Sequence, residues 1–278
     1  MRYKYLPYTP SSKIDCPNCG AKKRFVRYLD TETGEQMPDE FGTCDRKGTC
    51  GYHNYPGVPE STKVTKSLAE LEVPQVYIDK SIVEQTMSNN HYNEFLKILV
   101  EKFGEQVATE SIKKYYIGTS KNNGTAYFYV NQKKLVTSCK IILYDGVHRS
   151  KSVFPYYPFK VSDGYRQCLF GMHLIDKNKK IKVVESEKTA LIASMIYPEV
   201  TWMSCGGSNG FTSAKCKIIK DFGYEHEIDL LPDCSDEGRE AALKWQDNLD
   251  VNGIKSKIID VGPEFMEGQD LADLILEG

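Results

Sequence analysis

The chain has 278 residues, 40% of them apolar and 27% charged, with a net charge of −2, which excludes a disordered chain and leaves length for real cores. No apolar run approaches the roughly 18 residues that span a bilayer, and the opening MRYKYLPYTPSSK lacks a signal-peptide core, so a cytoplasmic protein with no membrane partner is expected. Residues 165–278 carry 13 Lys/Arg against 20 Asp/Glu, so this part would meet phosphates through metal ions held by carboxylates rather than by simple neutralisation.

Residues 1–56 hold four of the nine cysteines, in CPNCG and GTCDRKGTCGYH. The spacing is C-x2-C, then 24 residues, then C-x5-C-x2-H. Two such turns supply the four ligands of a tetrahedral Zn2+. Cys16, Cys19, Cys44 and Cys50 form the natural set, with His53 as the alternative fourth ligand. Between the turns, KKRFVRYLDTETGEQMPDEFG reads as a β-hairpin turning at Thr33-Gly34, which predicts a zinc ribbon. Lys22, Lys23, Arg24 and Arg27 interleave with Phe25 and Tyr28, a pattern that suits single-stranded nucleic acid and equally a solvated ribbon face.

Residues 57–67 are rich in Pro, Gly, Ser and Thr and read as a linker. A helical subdomain follows at 68–120, with about three helices and apolar Phe95, Ile98, Leu99 and Phe103 at helical spacing. Residues 121–179 are strand-rich: TAYFYVNQ, LVTSCKIILYD and HRSKSVF, with turns near Gln132-Lys133 and Asp145-Gly146, predict an antiparallel meander. Lys140, Arg149 and Lys151 are basic residues that could flank a crevice, and His148 and His173 read as structural.

From 180 to 278 strands and helices alternate, which predicts a small parallel sheet with helices on both faces. The strands end at Glu185, at Cys205-Gly206-Gly207 and at Asp233, all on the sheet edge where open α/β folds keep their ligands. Clustered carboxylates repel unless a cation joins them, and oxygen donors select Mg2+ or Mn2+, a common device of phosphoryl transfer. Plainer readings stand beside these. Glu187 would be a charge stabilised at a helix N-terminus, Lys188 a phosphate ligand or a solvated lysine, and Gly206 and Gly207 a phosphate cradle or a turn. Asp236 would be a metal ligand or an N-cap, and Asp270 and Asp273 functional acids or surface charge.

VVESEKTALIAS, SCGGSNG, LLPDCSDEGREAALKW and GQDLADLI together resemble the TOPRIM fold of bacterial replicative primases, topoisomerases and some nucleases. CLFGMHLI is similar to the Leu-Tyr-Gly segment that leads into this domain in primases, and the order of ribbon, strand-rich region and TOPRIM domain is the primase order. The whole chain is similar to primase-like proteins from mobile elements of the Bacteroidetes group. The resemblance implies Glu185 as general acid/base or metal ligand and Asp233 as the first Asp of D-x-D, with Gly238 and Arg239 on the Gly-Arg that follows. Asp270 and Asp273 match the terminal acidic segment. Ser235 stands where the family has its second Asp, with Asp236 one residue later.

The expected fold class is therefore α/β: a ribbon at 1–56, a helical region, a strand-rich segment and a TOPRIM domain at 180–278. The expected function is a primase-like nucleotidyltransferase. It would use structural Zn2+ and catalytic Mg2+ or Mn2+, nucleoside triphosphates and a single-stranded DNA template. A separate replicative helicase is a further expected partner. The alternatives are a catalytically degenerate binding module, favoured by Ser235, and a TOPRIM nuclease.

Overall fold

The computed structural model describes residues 2–6, 12–46, 50, 52–56, 74–89, 93–259 and 268–277; the linker expected at 57–67 lies outside them. The chain divides into two units, residues 1–73 and 74–278. The helical and strand-rich stretches belong to the same unit as the parallel sheet.

In the first unit five short strands pair antiparallel: β1 (Tyr3–Tyr5), β2 (Lys13–Ile14), β3 (Phe25–Asp30), β4 (Gly42–Cys44) and β5 (His53–Asn54). Their order is β1-β3-β4-β5, with β2 also on β3. Side chains alternate between faces along a strand. Phe25 therefore packs with Cys16, Cys44 and Cys50, while Tyr28, three residues on, lies on the other face and stacks on Tyr5. The hairpin turns where expected: Gly34, at φ +74°, donates its N–H to the Asp30 carbonyl at 2.9 Å.

The second unit begins with α1 (Lys80–Met87), α2 (Glu94–Phe103) and α3 (Glu105–Lys114). Asp79 and Asn93 cap the first two by accepting backbone N–H groups of Ser81 and Leu96. A three-stranded antiparallel sheet follows: β6 (Ile117–Thr119), β7 (Thr125–Val130) and β8 (Val136–Ile142). The central strand β7, TAYFYV, is buried on both faces, and its parity divides two cores. Ala126, Phe128 and Val130 pack with Val83 of α1, whereas Tyr127 and Tyr129 face the larger core shared with the parallel sheet. The short pair β9 (Tyr144–Asp145) and β10 (His148–Arg149) ends the meander. HRSKSVF was expected as a full strand, but only its first two residues pair. Val153 and Phe154 find no core, and Pro155 cannot donate to a ladder.

The remaining elements alternate as predicted: β11 (Ile181–Val184), α4 (Glu187–Ile196), β12 (Thr201–Ser204), α5 (Ser213–Asp221), β13 (Ile228–Leu231), α6 (Asp236–Val251), β14 (Ser256–Ile258) and α7 (Leu271–Glu277). The sheet order is β12-β11-β13-β14, all parallel. Parallel strands covered on both faces read as near-continuous apolar runs, and every residue of β12 and β13 is buried. Phe170 of the CLFG segment exchanges two backbone hydrogen bonds with Ser204, at 2.9 and 3.0 Å, so this segment docks beside β12. Among the described residues no helix is long and apolar enough to cross a membrane.

Phe128→Ala, which empties a ring site between β7 and α1, is expected to cost about 3–5 kcal/mol in urea unfolding of the full chain. Phe154→Ala, at a ring 90% exposed, is expected to shift stability by no more than about 0.5 kcal/mol.

Candidate active site

The ribbon gathers four sulfurs. The Sγ atoms of Cys16, Cys19, Cys44 and Cys50 lie within 4.8 Å of one another. Tetrahedral zinc with Zn–S near 2.3 Å requires S···S separations of about 3.8 Å. Cys16 and Cys50 stand 3.7 Å apart, so this all-thiolate set fits the ion. His53 is turned elsewhere: its Nε2 shares a 2.7 Å hydrogen bond with the Tyr28 hydroxyl. Of the residues expected to hold nucleic acid, Lys22 and Lys23 are exposed. Arg24 lies 3.6 Å from Asp45, and Arg27 is held by Asp39 at 2.7 Å. Phe25 is 0% exposed, which corrects its expected role: the parity of β3 turns the ring onto the cysteines, where no base can stack on it.

Three βα turns meet at the C-terminal edge of the parallel sheet. β11 ends at Val184 and hands Glu185 to the first turn, after which Ser186 caps α4 by accepting the Thr189 N–H at 3.1 Å. The second turn folds onto Glu185. Gly206, at φ +79°, and Gly207 both donate their N–H groups to the Glu185 carbonyl, at 3.0 and 3.1 Å. The phosphate-binding role expected of these two glycines therefore lacks its donors. Trp245 and Asn248 of α6 hold the rest of that loop through the carbonyls of Ser208 and Phe211, each at 2.8 Å.

The third turn presents Asp233. A Cβ on Gly238 would strike the Asp233 carbonyl oxygen, so the glycine lets the first turn of α6 sit directly on the aspartate's backbone. Ser235 is the N-cap of α6 and accepts the Gly238 N–H at 2.9 Å. This corrects the reading of Asp236 on both counts. Asp236 is not the cap, and its side chain is 86% exposed and paired with Arg239 at 2.8 Å.

Asp270 and Asp273 are tied rather than free surface charge. Each accepts the other's backbone N–H, Asp273 N–H to Asp270 at 2.9 Å and Asp270 N–H to Asp273 at 3.1 Å, a reciprocal capping box at the start of α7. Asp270 also accepts the Thr189 hydroxyl at 2.7 Å. Lys188, expected as a phosphate ligand or a solvated lysine, is instead buried and paired with Asp273 at 2.6 Å, with Asp270 at 3.8 Å.

Burial first, then repulsion from Glu185, Asp270 and Asp273, pushes the Asp233 carboxyl up to about 8, with Lys188 opposing. Glu185 is also raised, chiefly by burial, against the Ser208 N–H and the Lys140 charge. Such shifts are common where function gathers like charges. Among the described residues the cysteines are the only group of three or more metal-ligating side chains within 4.8 Å, so the carboxylates do not form a closed cage. Mg2+ binds through one or two carboxylates and keeps waters and phosphates for the rest, so the open pair Glu185 and Asp233 fits it.

Beside this edge lies a pair that sequence reasoning missed. Glu187 is 0% exposed, and Lys140 of β8 is 8% exposed. Lys140 Nζ donates to both Glu187 oxygens at 2.9 and 3.1 Å and to the Gly206 carbonyl at 3.1 Å. Tyr129 of β7 donates its hydroxyl to the same carboxylate. Burial alone would lower the Lys140 ammonium, yet the Glu187 charge holds it above the ordinary lysine value. Glu187 stands in the first turn of α4 as expected, but buried and paired with Lys140 rather than left to the helix terminus alone. The signal was in the sequence: α4 is apolar almost all round, and such a helix is buried with whatever charge it carries.

Breaking this pair leaves a buried charge alone. Lys140→Met and Glu187→Leu are each expected to cost about 3–5 kcal/mol, and the double variant less than either, in a urea double-mutant cycle. Asp233 gives a pH signature. Its folded value lies above its unfolded value, so its neutral form is favoured and stability is lost as pH rises from about 4 to about 8. Asp233→Asn is therefore expected to melt at the wild-type temperature near pH 4 and above it at pH 8, with added Mg2+ narrowing the gap.

Solved structures with a similar fold are primases. The primase fragment of the bacteriophage T7 primase-helicase protein aligns over 99% of this chain and 96% of its own, at 16% identity and a TM-score of 0.50. The Aquifex aeolicus primase, zinc-binding and RNA polymerase domains, aligns over 99% and 77%, at 13% identity and a TM-score of 0.55. The E. coli primase catalytic core aligns over 70% and 75%, at 13% identity and a TM-score of 0.50. At such identities the likeness establishes the fold: an N-terminal zinc ribbon followed by a primase-like α/β unit. No curated protein matches the sequence. A zinc beta-ribbon finger family matches residues 1–64, in accord with the four-cysteine cluster and a structural Zn2+. Residues 93–234, which run from the cap of α2 through Glu185 to the turn after Asp233, match the family described as Domain of unknown function (DUF6371), and with just over half of its length matched the chain belongs to that family.

Proposed function

We propose that the chain is a primase-type nucleotidyltransferase. It joins nucleoside triphosphates into primers on single-stranded DNA, in the cytoplasm, beside a separate replicative helicase of a mobile element. The observation that carries this reading is the carboxylate edge, with Glu185 and Asp233 just past the ends of adjacent parallel strands and Asp233 pushed up to about 8 by burial and by its neighbours. Glu185 and Asp233 would hold Mg2+ or Mn2+. When bound, the cation supplies charge stabilisation to a triphosphate. The residues of the chain do the rest. Gly206, Gly207 and the Ser204 hydroxyl grip the Glu185 carbonyl and fix its side chain at the edge. The Ser208 N–H and the Lys140 charge favour the ionised form of Glu185, as a metal ligand or proton acceptor requires. Lys188 pairs with Asp273 and lies near Asp270, and its charge offsets part of the repulsion those acids exert on Asp233. Zinc would set the shape of the ribbon that holds template.

One observation favours the second reading, a catalytically degenerate binding module. Ser235 gives its hydroxyl to the cap of α6, and Asp236 faces solvent, so the third turn offers a single carboxylate. An incorporation assay separates the readings. Full-length protein, circular single-stranded DNA, labelled ribo- and deoxyribonucleotides and Mg2+ or Mn2+ are expected to give labelled oligomers, with yield reduced at least 100-fold by Glu185→Ala or Asp233→Ala. Absence of product with either metal, while DNA binding persists in Glu185→Ala, would leave only the module. Shortened template strands would mean a nuclease instead.

A further inference from the structure

The sheet face of the ribbon opposite the cysteines is built from rings. Tyr5 and Tyr28 are register partners on β1 and β3 and therefore share a face. Their rings stack at 4.6 Å with planes 18° apart. Tyr55 meets Tyr28 edge-on at 5.2 Å, and Tyr3 meets Tyr55 edge-on at 5.7 Å. The Arg2 guanidinium lies 5.4 Å from the Tyr3 ring centroid. Hydroxyls and the imidazole tie the set together: Tyr28 donates to Tyr5 at 3.1 Å and shares its 2.7 Å bond with His53.

Tyr28 is sealed beneath, but Tyr5 is 46% exposed, so the top of a preformed stack is open. The face carries aromatic rings and a guanidinium, with Val26, two residues before Tyr28 on β3, an aliphatic side chain on the same side. A protein partner is usually met by mixed apolar surface with aliphatic neighbours, whereas flat rings over fixed rings match the π-faces of bases and lose little side-chain freedom on binding. Exposed Lys22 and Lys23 remain as phosphate-neutralising charge elsewhere on the ribbon.

We propose that this tyrosine face, with Tyr5 as its outer ring, is the base-stacking surface of the chain for single-stranded nucleic acid, in place of the Phe25 edge. The inference rests on the reading that the chain works on a single strand, and names the surface that would hold it. It predicts recognition of bases as flat rings, without sequence reading through base edges.

The test uses the full-length, zinc-loaded protein and two labelled 12-mers, oligo-dT and an abasic strand with the same phosphates. Wild type is expected to bind oligo-dT roughly tenfold more tightly in fluorescence anisotropy, the worth of about one base–ring stack. Tyr5→Ala should erase that preference, Tyr5→Phe should keep it, and Tyr5→Trp should show indole quenching with oligo-dT only. Lys22→Ala with Lys23→Ala should weaken both strands equally. Retention of the preference in Tyr5→Ala, with one zinc per chain, would overturn the proposal. So would a change of oligomeric state in Tyr5→Ala at unchanged DNA affinity, which marks a protein contact. Equal wild-type affinity for the two strands removes the stacking face but leaves primer synthesis, judged separately by incorporation, untouched.

Discussion

Lys140 and Glu187 meet where water does not reach. Taking two charges out of water costs several kcal/mol each, and the cost is offset only if the partners are close and the remaining donors and acceptors are filled. Both conditions are met, because Lys140 takes both carboxylate oxygens and the Gly206 carbonyl, and Tyr129 supplies a further donor to Glu187. The contact joins three elements distant in sequence: the strand β8, the first turn of α4 and the glycine loop after β12. A shift of any one would strand a buried charge. The same loop holds the Glu185 carbonyl, so the position of the candidate catalytic carboxylate depends on a lysine in the antiparallel sheet.

The parallel sheet and the zinc ribbon were legible because their signals are local. Four-residue strand segments, each followed by a turn and a helix, mark β11, β12 and β13, and cysteine spacing marks the knuckles. What escaped was parity and pairing. Cations interleaved with rings in KKRFVRY do not reveal which ring faces the metal, because register decides that and a one-residue slip inverts it. The same one-residue ambiguity separated Ser235 from Asp236: only the placed helix tells which is the cap. β6 went unread because it is three residues long and contains Gly118, which lies against the backbone of Thr86. Lys140 reads from sequence as a strand lysine that could flank the crevice; its burial against Glu187, 47 residues away, is a long-range contact that no local pattern marks.

The carboxylate edge shows how local rules yield at a site. Most buried acids in a fold are matched by cations or by several backbone donors. Asp233 has neither in sufficient measure, and its carboxyl is driven toward the neutral form. Gly238 brings the first turn of α6 down onto the aspartate's own backbone. A divalent ion held there, as proposed, would answer two carboxylates at once.

The C-terminal helix has an influence beyond its packing. Through Thr189–Asp270 and Lys188–Asp273, α7 is fastened to the first turn of α4, directly after Glu185. If α7 lifts, two negative charges leave the neighbourhood of Asp233 and the Lys188 ammonium loses its acidic partners. The local field would then change from net anionic to nearly balanced without any movement of Glu185 or Asp233. A cation bound at this edge, as proposed, would therefore respond to the docking of a seven-residue helix that lies outside the sheet.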